Sequence, residues 1–276
     1  MGRPSRFIYI KLIIRILYFS LMIMSLLGPI FGVSKTEVLT AGRDIYLAID
    51  LSNSMGLSDV SPDRIEKVKI ELNPILNSIE NDRVGLALFS SQAYWQVPLT
   101  KETSIIKEYV SGLDTGILPD GGSNIESPLK LIAEKALLEK KTKRTQVLIL
   151  FTDGETFKDI DPSTYESIRK ADLKVFIVGV GTSIGSDITV GEKVAVSSLN
   201  SAGLRDLAQK TNGNLYFLND DTNDINGLIT KLATITSVVR EQPSLIVANN
   251  RYLNFLSIAM FLMLVDLLLS LPIFRL

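Results

Sequence analysis

Two apolar segments bracket this chain, and they constrain it more than any other feature. Ile16 to Val33 contains no charged residue and would measure about 27 Å as a helix, enough to cross most of a bilayer core. Tyr252 to Phe274 is a second such run, interrupted only by Asp266 and flanked by Arg251 and Arg275. Arg3, Arg6, Lys11 and Arg15 precede the first run, which predicts a cytoplasmic N-terminus and export of the chain beyond the first span. A leader cleaved near Gly32 to Ser34 is the rival reading. Pro29-Ile30-Phe31 suits such a site poorly, so an uncleaved anchor is expected. The expected layout is a basic cytoplasmic segment over 1–15, a span over 16–33, one domain over 34–242, a linker over 243–251, a second span over 252–274 and a cytoplasmic tail at 275–276. Two spans return both ends to one side, with the domain outside the cytoplasmic membrane.

The middle alternates between two periodicities. Asp44 to Asp50, Arg83 to Ser90, Thr145 to Phe151 and Leu173 to Gly179 are short, nearly continuous apolar runs, as expected of parallel strands covered on both faces. Between them, Ile65, Val68, Leu72, Leu76 and Ile79 recur at helical spacing after Ser61-Pro62, and Ile125, Leu129, Ile132 and Ala136 do the same. Pro74 is expected to kink or loosen the first of these helices. Tyr94 to Leu99 reads as an extra strand beside Arg83 to Ser90, Asn214 to Leu218 as an edge strand, and Ile188 to Val196 as a hairpin. The resulting fold class is α/β: a doubly wound, mostly parallel open sheet with helices on both faces, flanked by N- and C-terminal transmembrane helices.

The chain has no cysteine and no histidine, which excludes thiol or imidazole catalysis and the usual zinc sites. A net charge of -1 gives no electrostatic footprint for nucleic acid. What remains is oxygen chemistry, and three polar clusters carry it. Asp50-Leu51-Ser52-Asn53-Ser54 comes directly after the first strand, Thr152-Asp153-Gly154-Glu155 after a later one, and Gly121-Gly122-Ser123-Asn124-Ile125 opens a helix. In an open parallel sheet these positions share one rim. Each cluster alone is ordinary turn and capping chemistry. Together they offer carboxylate and hydroxyl oxygens without nitrogen or sulfur, a set suited to a hard cation, Mg²⁺ ahead of Ca²⁺, with Mn²⁺ as an alternative. With few charged ligands, such a cation stays electrophilic toward an Asp or Glu carboxylate from a protein partner.

In this order, the three clusters resemble the metal-ion-dependent adhesion site of von Willebrand factor type A domains, over roughly Arg43 to Val239. The resemblance implies ligation by Ser52, Ser54 and Ser123, with Asp50 and Asp153 acting directly or through water. Ser123 stands where the family more often has threonine, so the oxygen is kept and the methyl lost. With its flanking spans and hairpin, the chain is similar more narrowly to bacterial Bat-type aerotolerance membrane proteins. That implies work beside sister membrane proteins and a MoxR-type AAA+ ATPase, and a binding module rather than an enzyme. The competing readings are a surface adhesin and a Mg²⁺-dependent phosphohydrolase using Asp50, the latter disfavoured by Ser52 where such enzymes usually carry a second acid. Asp266 is costly inside a span and is expected to contact a partner within the membrane. Lys140 to Arg144 reads as a solvated turn at the opposite rim, and Tyr94 with Trp95 as packing.

Overall fold

The structure is a computed structural model that describes residues 5–28, 30–36, 39–119, 122–139, 144–155, 160–190, 193–235, 239–241 and 245–270. The chain divides into two compact units, Leu39–Arg240 and the paired ends Met1–Val38 with Glu241–Leu276.

The larger unit is built on β3 (Arg43–Asp50), β4 (Arg83–Phe89), β5 (Ala93–Thr100), β6 (Thr145–Thr152), β7 (Lys174–Val180) and β10 (Asn214–Leu218). They form one sheet in the order β10-β7-β6-β3-β4-β5, parallel throughout except for β5, which runs antiparallel to β4. Every residue of β3 is buried, which is why its sequence is nearly continuous in apolar residues rather than alternating. Alternate residues serve two cores. Ile45, Leu47 and Ile49 pack with α2 (Arg64–Ser78), α3 (Thr103–Ser111) and α7 (Ile225–Thr234). Tyr46 and Ala48 pack with α4 (Glu126–Glu139), α5 (Pro162–Ala171) and α6 (Ser201–Lys210). Each fully buried Leu, Ile or Phe contributes roughly 1.5–3 kcal/mol by leaving water. Trp95 joins the second core, its ring 5.9 Å from that of Tyr46, while Tyr94 on the alternate face of β5 is exposed.

Several local expectations change. Helix α2 starts at Arg64, not at the Ser61-Pro62 pair, because Asp63 is its cap and accepts a hydrogen bond from Glu66 N at 2.8 Å. Pro74, where a kink or loosening is expected, lies inside this helix. Leu72 before the proline and Ile75 and Leu76 after it are fully buried, and that packing on both sides holds the turn together despite one missing backbone donor. The hairpin is confirmed as β8 (Ser186–Val190) with β9 (Lys193–Ser197). Lys140 to Lys143 lie outside the described residues, but Arg144 is no solvated turn residue. Its guanidinium is buried at the amino ends of the strands, where Nε donates to Asp44 Oδ1 at 2.7 Å and Nη2 to the Arg43 carbonyl at 2.9 Å. Two short strands, β2 (Leu39–Ala41) and β11 (Val239–Glu241), pair with each other.

The paired ends hold α1 (Ser5–Leu26), β1 (Ile30–Thr36), β12 (Leu245–Asn250) and α8 (Tyr252–Ser270). The first apolar run is therefore helical earlier and ends sooner than 16–33. Its last turn closes through Leu27 N to the Ile23 carbonyl and Gly28 N to the Ser25 carbonyl, with Gly28 at φ +59. Ile30 to Thr36 then pairs antiparallel with Leu245 to Asn250, so most of the stretch expected as a linker is strand. Both helices are long and apolar enough to cross a membrane, over Tyr9–Leu26 and Tyr252–Leu269.

Candidate metal centre

The carboxyl ends of β3 and β6 bring Asp50 and Thr152 side by side. A single 3-10 turn, Asn53–Gly56, comes after β3 and turns Ser52 and Ser54 back over the strand end. Asn124 N bonds to the Ser90 carbonyl at 2.8 Å and Ser127 Oγ accepts from Ala93 N at 2.7 Å. Those two bonds seat the loop carrying Ser123 on β4 and β5. Gly121 lies outside the described residues.

Asp50 is fully buried and is the hub. Its Oδ1 accepts from Ser52 N at 2.9 Å, and its Oδ2 accepts from Ser123 Oγ at 2.9 Å and Thr152 Oγ1 at 2.7 Å. The hydroxyls of Ser52 and Ser54 meet at 3.1 Å. Asp153 is also fully buried; its Oδ1 accepts from Glu155 N at 3.0 Å and its Oδ2 from Arg64 Nη1 at 2.8 Å. The turn after it needs Gly154, which sits at φ +67 with the side chain of Leu204 2.8 Å from where a Cβ would lie. Burial, and then the charge of Asp153, push the Asp50 carboxyl up to about 6.

These residues fit a hard divalent cation. The buried Asp50 carboxylate, beside the charge of Asp153, would be relieved by it, and the remaining donors are neutral hydroxyls gathered around Asp50. Among the described residues no group of three or more acidic side chains gathers to hold a metal. The donor set is hydroxyl-rich, not carboxylate-rich.

A family model for the von Willebrand factor type A domain matches residues 44–231. The chain belongs to that family. An aerotolerance-related membrane protein from Bacteroides fragilis, solved with multiple mutations to serines, is similar at a TM-score of 0.61 and 26% identity, covering 69% of this chain and 100% of that one. The manganese-loaded TRAP protein of Plasmodium vivax shares the fold at a TM-score of 0.52 and 20% identity, covering 76% of this chain and 79% of that one. A Borreliella burgdorferi protein is 25% identical over 219 residues; the match covers 74% of this chain and 63% of the relative, so this chain spans less than two thirds of that relative's length.

Within the von Willebrand A domain, all five residues expected from sequence to form the site lie at one rim, with Asp50, Ser52, Ser54 and Ser123 joined by hydrogen bonds. Three further side chains join these residues in the fold. Thr152 donates to Asp50, and its place heading Thr152-Asp153-Gly154-Glu155 is the available sequence signal. Arg64 and Asp59 sit behind Asp153. The signal for Arg64 is a cation heading the apolar stripe Arg64, Val68, Leu72 at four-residue spacing.

Asp266 lies in the other unit, where Arg15 Nε donates to its Oδ2 at 3.0 Å. A cation of the same chain thus faces this acid. By sequence Arg15 belongs to the flank before the span; because α1 begins at Ser5, it falls inside the apolar window Tyr9–Leu26 instead, at a level where α8 offers its one acid.

Proposed function

We propose that this chain is a membrane-anchored, divalent-metal-dependent protein-binding module of a bacterial membrane complex, and not an enzyme. The observation that carries the reading is the convergence of Asp50, Ser52, Ser54, Ser123 and Thr152 into one hydrogen-bonded set beside buried Asp153. Asp50, Ser52, Ser54 and Ser123 would hold Mg²⁺ or Mn²⁺, with Asp153 acting directly or through water. When bound, the cation would supply an electrophilic centre for an Asp or Glu side chain of a protein partner. The hydroxyl donors are neutral, so the protein itself leaves that charge largely uncompensated. A covalent role for Asp50 is unsupported, since Ser52 stands two residues on, where a phosphoryl-transferring enzyme would carry a second acid.

The likeness to an aerotolerance-related membrane protein supports a role in stress or oxygen tolerance, beside sister membrane proteins and a MoxR-type ATPase. The two apolar helices support anchoring in the cytoplasmic membrane. Arg3 and Arg6, before α1 becomes apolar, support a domain on the extracytoplasmic side.

The test is thermal unfolding of the full chain in detergent. Saturating Mg²⁺ or Mn²⁺ at about 100 times Kd should stabilise the folded state by about 2.7 kcal/mol, and Asp50→Ala should abolish that gain while the protein stays folded. A wild-type melting temperature indifferent to Mg²⁺, Mn²⁺ and EDTA refutes the metal reading.

A further inference from the structure

The Arg64 side chain is completely buried and bonds to three surrounding segments. Nε and Nη2 grip the two oxygens of Asp59 at 2.7 and 2.9 Å. Nη1 donates to Asp153 Oδ2 at 2.8 Å and, at 3.3 Å, to both the Ser54 carbonyl and Ser197 Oγ, while Nη2 reaches the Ser197 carbonyl at 3.2 Å. Asp59 is itself held from a third side, by Thr182 N at 2.8 Å and Thr182 Oγ1 at 2.9 Å. Room for the guanidinium depends on Gly181, at φ +119, where a Cβ would lie 2.8 Å from Arg64 Nε. The protein thus encloses a permanent cation against one of the two carboxylates of a site whose other chemistry attracts cations.

We infer that Arg64 is a positioning residue of the metal centre: it locks the orientation of Asp153 and offsets its charge, so that the centre binds its cation less tightly than two free carboxylates would and leaves it more electrophilic toward a partner. This rests on the proposed metal site. The geometry distinguishes such a role from simple structural pairing. The fork on Asp59 uses two of the five N–H donors of Arg64, and of the acceptors that Nη1 reaches the nearest is Asp153, whose other oxygen is taken by Glu155 N. With both oxygens engaged, Asp153 cannot swing toward a cation without losing a charge-assisted hydrogen bond. Through Ser197, at the end of β9 and donating to Glu155 Oε2 at 2.8 Å, the same cation also ties the hairpin to the loop after β6.

The charge effect sets a sign that a structural role does not. Removing Arg64 should lower stability yet raise cation affinity, because the cation would then be the counter-charge for Asp153. The experiment measures Mn²⁺ affinity of the full chain in detergent by the electron paramagnetic resonance signal of free Mn²⁺, beside the melting temperature in EDTA. Arg64→Gln should melt lower than wild type in EDTA and bind Mn²⁺ about tenfold more tightly, about 1.4 kcal/mol. Arg64→Lys, which keeps the charge without the fork, should return to within about threefold of wild-type affinity. Asp59→Asn touches no proposed ligand and should weaken Mn²⁺ binding, since Arg64 then faces Asp153 alone. Arg64→Gln binding Mn²⁺ equally or more weakly overturns the inference. If that variant does not fold with or without Mn²⁺, Asp59→Asn decides, and equal or tighter binding there overturns it. A wild type that binds no Mn²⁺ refutes the metal reading itself, and this inference with it.

Discussion

Asp44 shows how one buried residue can be worth more than its neighbours in sequence suggest. It is fully buried at the start of β3, yet Arg83 donates to both its oxygens at 2.8 and 2.7 Å, Arg144 to Oδ1 at 2.7 Å and Gln146 to Oδ2 at 3.0 Å. Burial alone would raise its pKa. The bonds from Arg83 and Gln146 and the charges of both arginines overcome that and hold the carboxyl below its ordinary 3.8. A carboxylate depressed in the folded state contributes stability that is fully present above the ordinary value and is lost as pH falls through the folded one. Asp44→Asn should therefore cost about 3 kcal/mol at pH 7, since it leaves arginines unpaired, and the deficit should shrink below about pH 4. Denaturant melts across that range check it; a deficit constant with pH would mean the ion pairs contribute nothing.

At the scale of elements, α1 and α8 pair within one unit, tied by Arg15 with Asp266 at 3.0 Å and by Ser25 Oγ donating to the Tyr252 carbonyl at 3.1 Å. The two contacts lie in opposite chain order along the helices, as an antiparallel pair requires. A lone charge near the centre of a span costs about 2.5 to 3.5 kcal/mol on insertion scales. Asp266→Leu takes from Arg15 the acid it donates to, and Arg15→Leu takes that donor from Asp266, each leaving a less compensated charge at part of that cost. Each single change should lower the melting temperature of the full chain in micelles, whereas the double change Arg15→Leu/Asp266→Leu should recover much of the loss. If the two effects simply add, the helices do not depend on this pair.

For the whole molecule, the proposed orientation places the von Willebrand A domain outside the cytoplasm, where a partner's acidic side chain would have to meet it. The absence of cysteine makes this directly measurable. Ser183 is exposed in the loop after β7, so Ser183→Cys supplies a single reactive thiol at a position that is not itself one of the metal residues. In right-side-out vesicles a membrane-impermeant maleimide should label it without lysis. Labelling only after permeabilisation would invert the proposed topology.

The central strands are legible in the sequence because a parallel strand covered on both faces must be apolar at nearly every position, and Arg43–Asp50 and Thr145–Thr152 show that directly. Asp50, Ser52, Ser54, Ser123 and Asp153 are legible for a related reason: strand ends in such a sheet share a rim whatever the intervening sequence. Helices α3, α5 and α7 are not, being short elements of nine or ten residues whose periodicity spans barely two turns. Strands β1 and β12 stay hidden because pairing across two hundred residues leaves no local trace, and a strand of Ile, Phe and Val reads like the end of a span. Long-range charge pairing is invisible for the same reason. Arg64 with Asp153, Arg144 with Asp44 and Arg15 with Asp266 lie 89, 100 and 251 residues apart. Local sequence determines what each segment can bury; only the folded chain decides which distant charge arrives to neutralise another, because that pairing depends on proximity in space and on exclusion of water.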